Sequence, residues 1–308
     1  MEIYLLVDFG STYTKLSAIN IEKEFIVGVS KAPTTVETNI LDGYDEAFEH
    51  LIRNHPEITN VSGISACSSA AGGLKMAAIG LVEELTVEAA KRACLGAGAI
   101  VNEVFSHHIT KREARELKES NSDIILLAGG TNGGNKECII HNAKKLKEAD
   151  IDVPIIIAGN KDAYDEIELI LSDSNIDYFF VKNVMPQLRK IDVVEAKLQI
   201  RKIFIDKIIE AKGIKKAEEK IGGIIMPTPE AVLLAAELLS KGYNDVEGYG
   251  ELIVIDIGGA TTDVHTICEG LPKRTEVILK GLEEPFAKRT VEGDLGMRYS
   301  ARALLSSV

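Results

Sequence analysis

Short apolar runs rich in β-branched residues alternate along this chain with longer stretches whose apolar positions recur every three or four residues. The first kind reads as buried strands and the second as helices packed against them. Strands are expected at 5–7, 15–21, 25–29, 64–68 and 75–82, and helices follow at 87–97 and 111–118. A second alternation predicts strands at 124–128, 155–158 and 178–181, with helices at 135–147 and 163–172. This middle stretch, about 120–185, has the pattern of a small Rossmann-like α/β unit. Residues 187–212 predict one long amphipathic helix, with Ile191, Val194, Leu198, Ile205 and Ile208 along one face. No low-complexity linker interrupts the pattern, and the fold class it favours is α/β.

Two of the apolar runs end alike. Ile3-Tyr4-Leu5-Leu6-Val7 enters Asp8-Phe9-Gly10-Ser11-Thr12-Tyr13-Thr14-Lys15, and Leu252-Ile253-Val254-Ile255 enters Asp256-Ile257-Gly258-Gly259-Ala260-Thr261-Thr262-Asp263. Each reads as a buried strand entering a tight turn. Glycine lets a backbone come close to a ligand, while amides and Ser/Thr hydroxyls suit phosphate oxygens. Two such loops suit a polyphosphate gripped from both sides. Asp8-Phe9-Gly10 also matches a protein-kinase signature, but that signature needs a catalytic loop and a glycine-rich lid upstream, for which position 8 leaves no room. Neither GxxxxGK[ST] nor GxGxxG occurs.

The glycine-rich segment Ala128-Gly129-Gly130-Thr131-Asn132-Gly133-Gly134 follows one expected strand and precedes a helix. Two readings stay open there: a tight β-to-α turn, or an anionic group held at a helix N-terminus. His107-His108 lacks the spacing of a metal site and reads as an exposed strand end. Ser68-Ser69 lies outside a nucleophile elbow.

Composition narrows the classes. The 308 residues are 45% hydrophobic, enough for a substantial core in one or two domains. Cys67, Cys94, Cys138 and Cys268 are widely spaced and form no CxxC pair, which suits reduced thiols in a cytoplasmic protein. No basic leader with a long apolar core opens the chain, and its apolar runs are far shorter than the roughly 20 residues a bilayer span needs, so no membrane partner is expected. The formal charge is −12, from 35 Lys plus Arg against 47 Asp plus Glu. Basic groups such as Lys144, Lys145 and Lys147 are interleaved with acids, the pattern of a solvated helix face, so nucleic acid is not an expected partner.

Asp8-x-Gly10-Ser11-x-x-x-Lys15 resembles the first phosphate hairpin of actin, and Asp256-x-Gly258-Gly259-x-Thr261-x-Asp263 resembles the second phosphate hairpin of Hsp70-type ATPases. Between them, Met226-Pro227-Thr228-Pro229-Glu230-Ala231 and the apolar stretch that follows resemble the connecting helix of the same superfamily. Together with Ser68-Ser69-Ala70-Ala71-Gly72-Gly73, the glycine-rich segment and Arg289-Thr290-Val291-Glu292-Gly293-Asp294-Leu295-Gly296, these motifs span essentially the whole chain. They are most similar to the MutL/GlmL family encoded beside adenosylcobalamin-dependent glutamate mutase, which shares only a name with the mismatch-repair protein.

The resemblance implies an actin-like, ribonuclease H-like ATPase fold with two related halves. Residues 1–225 would form the first half, including the inserted α/β unit at about 120–185 and the long helix at about 187–212; residues 226–308 would hold the connecting helix and the start of the second half. The stretch after Asp263 is too short for the usual adenosine turn, so that half is expected to be incomplete. By the same resemblance, Asp8 and Asp256 flank Mg2+. Gly10, Ser11, Thr12, Thr14, Gly258, Gly259, Ala260, Thr261 and Thr262 line the phosphates of ATP, and Lys15 reaches a phosphate oxygen. Met226 stands where Hsp70 has the glutamate of its connecting helix, so either Glu230 or Asp263 orients the water or turnover is slow. The family's role is that of a chaperone-like reactivating protein for a cobalamin-dependent mutase, with the mutase subunits, or a second copy of the chain, as partners. Two alternatives share the fold: a small-molecule sugar or acyl kinase, and an iron–sulfur ATPase that activates a dehydratase, which would need several of the thiols gathered at one place.

Overall fold

The computed structural model describes residues 2–35, 39–69, 74–211, 224–271, 281–293 and 295–297. Along the chain run β1 (Ile3–Phe9), β2 (Tyr13–Asn20), β3 (Phe25–Pro33), α1 (Ile40–Asn54), β4 (Val61–Ser68), β5 (Lys75–Gly80), α2 (Glu88–Gly96) and β6 (Ile100–Ser106). Then come α3 (Lys111–Glu119), β7 (Ile124–Leu127), α4 (Glu137–Glu148), β8 (Ile155–Ile157), α5 (Tyr164–Leu171), β9 (Tyr178–Phe180) and α6 (Val194–Ala211). The last elements are β10 (Ile224–Pro227), α7 (Thr228–Lys241), β11 (Gly242–Tyr243), β12 (Val246–Glu247), β13 (Leu252–Ile257), β14 (Thr262–Ile267) and β15 (Ala287–Glu292). They group into two compact units, one of residues 1–73, 203–267 and 289–308, the other of residues 74–202 and 268–288.

The first unit holds a five-stranded sheet in the order β10-β4-β1-β2-β3. β1, β2 and β3 form an antiparallel meander, while β4 lies parallel to β1 and β10 parallel to β4. Strand alternation explains how β1 serves both core and site: Ile3, Leu5, Val7 and Phe9 are buried, which turns Asp8 to the opposite face. A second sheet has the order β13-β14-β15, and in β13 the pairs Asp256–Asp263, Val254–His265 and Leu252–Ile267 share one face. Pro227 and Pro229 bracket the start of α7, where a missing N–H is tolerated because no carbonyl of the helix needs it.

The second unit is built on a parallel sheet in the order β6-β5-β7-β8-β9. β7 and β8 are fully buried, as a sheet covered on both faces requires, with Ile125, Leu127, Ile155 and Ile157 in a core shared with Ile139 and Leu146 of α4. The glycine-rich turn between β7 and α4 is tied down by protein groups. Asn160 donates to the Gly134 carbonyl at 3.0 Å, Asn183 to the Gly130 carbonyl at 3.0 Å, and the Gly133 amide to Asp162 at 2.8 Å. Gly130 has φ +70, and a Cβ there would run into the Asn135 carbonyl oxygen. Tight-turn chemistry therefore accounts for these glycines. Gly130→Ala is expected to destabilise the protein by about 2–3 kcal/mol, read as a lower midpoint in urea; an unchanged midpoint would show that the turn relaxes freely.

The elements that were expected have the expected type, and their ends fall within a few residues of expectation except in one helix; α1, β6, β10, β14 and β15 are additional. The helix expected over 187–212 begins at Val194; before it, Gln187 and Lys190 form an isolated bridge, and Arg189 adopts a left-handed backbone with φ 62. Its buried stripe is also a different one. Ala196, Ile200, Ile203 and Phe204 are buried, while Val194 and Leu198, on the expected face, are exposed. Both stripes are apolar, so periodicity could not tell which one neighbours would cover.

Candidate functional site

The two acidic turns, both in the first unit, are built alike. Asp8 stands opposite Lys15 across β1 and β2, and Asp256 opposite Asp263 across β13 and β14. Each turn closes on the same hydrogen bond: the Gly10 amide donates to the Tyr13 carbonyl at 3.1 Å, and the Gly258 amide to the Thr261 carbonyl at 2.9 Å. The loops also meet. A Cβ added to Gly259 would fall on the Thr12 hydroxyl and lie 3.3 Å from Ser11 Oγ, so this approach requires glycine. Thr12 Oγ1 is buried and has no hydrogen-bond partner among the described residues.

Asp8 is held from two sides. Lys15 Nζ donates to Oδ2 at 3.2 Å, Thr228 Oγ1 donates to Oδ1 at 2.8 Å, and the Cys67 thiol lies 3.7 Å from the same Oδ1. Burial, reinforced by the Asp8 charge, pushes the Cys67 thiol up to about 12, so it is protonated and able to donate. Asp256 is raised above the usual carboxylate range, mainly by burial and then by the nearby Asp263 and Asp8 carboxylates, with Lys15 and His265 opposing. The two aspartates thus feel each other's charge.

Beneath the second turn lies a buried ion pair. Arg289 Nε donates to Asp263 Oδ1 at 2.7 Å, its terminal nitrogen reaches the same oxygen at 2.6 Å, and Thr261 Oγ1 donates to Oδ2 at 3.0 Å. Both oxygens of Asp263 are therefore engaged. Beside it, burial depresses His265, which is neutral at pH 7, and neither ring nitrogen has a hydrogen-bond partner among the described residues. Leu295, Gly296 and Met297 run along the turn: the Leu295 carbonyl accepts from Thr262 Oγ1, and the Met297 amide donates to the Gly258 carbonyl at 2.9 Å.

Of the residues expected at the site, Asp8, Ser11, Thr12 and Lys15 are brought together with Asp256 and Gly259. Gly10, Gly258, Ala260 and Thr261 form the turns themselves. Thr14 is buried on the other side of β2 from Lys15, its hydroxyl 3.2 Å from that of Thr34, and the hydroxyls of Thr261 and Thr262 are engaged by Asp263 and Leu295. Glu230 is buried in the first turn of α7. Sequence reasoning did not assign roles to Thr228, Cys67, His265 or Arg289. Thr228 lay inside a noticed motif; nothing local pairs Arg289 with an aspartate 26 positions away.

The donor set fits a magnesium-bound polyphosphate. An orphaned hydroxyl and a side-chain-free glycine lie where the loops meet, and Asp8 and Asp256 supply hard carboxylate oxygens. Among the described residues no three His, Cys, Asp or Glu side chains gather to hold a metal. Magnesium keeps waters and substrate oxygens around one or two carboxylates.

These features define a mixed α/β protein in which two matched acidic hairpins converge in one unit. The MutL protein family matches residues 4–308, and Protein MutL of Clostridium tetanomorphum is 57% identical over 306 residues, 99% of this chain. The chain belongs to the MutL family. It spans 66% of the length of that relative. The nucleotide-free structure of acetone carboxylase, from work on ATP-dependent acetone carboxylation, aligns over 95% of this chain and 48% of its own at 16% identity and a TM-score of 0.38, too low to carry any conclusion about this chain. No described helix is long and apolar enough to cross a membrane.

Proposed function

We propose that this chain is a cytoplasmic, actin-like ATPase that binds Mg·ATP between its two acidic hairpins and serves an adenosylcobalamin-dependent mutase, such as glutamate mutase, as a chaperone-like reactivating protein. What supports this most is the meeting of the hairpins: Gly259 lies against Ser11 and Thr12, and Asp8 raises Asp256. MutL membership supports the choice of client. Magnesium, when bound, neutralises phosphate charge; Asp8 and Asp256 would hold it, directly or through water.

The remaining roles belong to the chain's own groups. Amides of Ser11, Gly259 and Ala260, with the Ser11 and Thr12 hydroxyls, face phosphate oxygens, while the Gly10 and Gly258 amides hold the turns closed. Lys15, whose side chain is 61% exposed, exchanges Asp8 for a phosphate oxygen. Glu230, two residues along α7 from Thr228, or Asp263, which Arg289 and Thr261 hold in place, orients water. Turnover without a client is slow.

Phosphate release is expected from the wild-type chain with Mg·ATP and a drop of about a hundredfold in Asp8→Asn. Equal release from both would discard the ATPase reading. Mutase inactivated in vitro should regain activity only with the wild-type protein and ATP; recovery without ATP would discard the reactivating role.

A further inference from the structure

We propose that Thr228, backed by Cys67, is a positioning residue that locks one oxygen of Asp8 and leaves the other to face a bound cation. This rests on the Mg·ATP reading above and adds to it a link between the first hairpin and the first turn of α7.

The two oxygens of Asp8 are held very differently. Oδ1 receives the Thr228 hydroxyl at 2.8 Å and has the Cys67 thiol at 3.7 Å, and the hydroxyl and thiol lie 3.6 Å apart. Oδ2 meets the flexible, largely exposed Lys15 at 3.2 Å. Thr228 and Cys67 are short side chains whose positions follow from backbone pairing. Asp8 lies beside Cys67 in the parallel register of β1 and β4, and Met226 lies beside Cys67 in that of β4 and β10. α7 then starts at Thr228, one residue past the end of β10. A β-branched threonine on the first helical turn has few rotamers to lose when it holds a carboxylate. A lysine on four methylenes has many, and it can leave. Oxygens that ligate cations are commonly oriented by a second, protein-supplied hydrogen bond, and removing that bond typically weakens metal binding about 10–100-fold.

The test uses Mn2+ as the probe, titrated into the whole chain with ADP and followed by the loss of the free-ion EPR signal. Thr228→Val keeps the shape and deletes the hydroxyl; it is expected to weaken Mn2+ binding about tenfold or more. Thr228→Ser should restore affinity to within about twofold of wild type, with melting temperatures of the two variants close together. A structural role alone would move stability and leave Mn2+ affinity in place. Should the valine variant fail to fold, Thr228→Ala reads the same loss. If Asp8→Asn loses Mn2+ while Thr228→Val and Thr228→Ala bind it as wild type does, or if serine fails to restore binding, the positioning role is overturned and the nucleotide site stands. If wild type with ADP holds Mn2+ no better than ADP alone, the nucleotide site itself falls and the positioning role with it.

Discussion

Asp256→Asn is expected to cut ATP hydrolysis by about a hundredfold or more and, at neutral pH, to raise the melting temperature. Both effects have one origin. Burial and the neighbouring carboxylates of Asp263 and Asp8 make the ionised Asp256 less favourable in the folded chain than in the unfolded one, with Lys15 opposing at neutral pH, where His265 is uncharged. A carboxyl raised in this way contributes favourably to stability below the ordinary carboxylate range, and that contribution is lost as pH rises through its folded value. At pH 7 the charge is therefore a net cost, one that a bound cation would relieve and that asparagine removes. The group is only partly buried, so solvent screening limits the gain to a few degrees. Thermal melts without nucleotide at pH 7.5 and near pH 4 check the sign: the advantage of the variant should be present at the first and shrink at the second. A variant that melts lower than wild type at pH 7.5 would contradict the crowding of like charges at this site.

Arg289→Met is expected to destabilise the protein by about 3–5 kcal/mol, enough to leave little folded material at 37 °C. The side chains of Arg289 and Asp263 are 1% and 6% exposed, and two Arg289 nitrogens meet the same carboxylate oxygen of Asp263. Removing the cation leaves a buried aspartate whose remaining hydrogen bond among the described residues is from Thr261 Oγ1. Arg289→Lys should not rescue it, since one ammonium cannot reproduce two guanidinium contacts. The double variant Asp263→Leu with Arg289→Met should recover much of the stability, because it deletes the uncompensated charge. Urea unfolding of the three variants decides this. A single Arg289→Met variant as stable as wild type would mean that the pair is not buried in solution.

β6, β10, β14 and β15 were not legible in the residues, whereas most strands of the first 181 residues, the run of β13 and both acidic turns were. Each rests on interactions within a few positions of the chain: alternation in β1 sends Asp8 away from Phe9, and the four-residue turns at Gly10 and Gly258 close on their own carbonyls. The stripe of α6 was not legible, because two apolar stripes compete on one helix and burial of Ile200, Ile203 and Phe204 depends on what lies alongside.

From local chemistry alone, then, follow the α/β alternation and the paired Asp-x-Gly turns, while the family resemblance made their acids candidate cation ligands. Long-range packing settled the rest: Thr228 at Asp8 across 220 positions, Gly259 against Thr12, Arg289 beneath Asp263, and the turning of Thr14 towards Thr34. Short-range hydrogen bonds and side-chain alternation leave a periodic trace in a sequence. A contact between distant residues leaves none, since it exists only once sheet register and helix docking bring the two side chains within about 3 Å of each other.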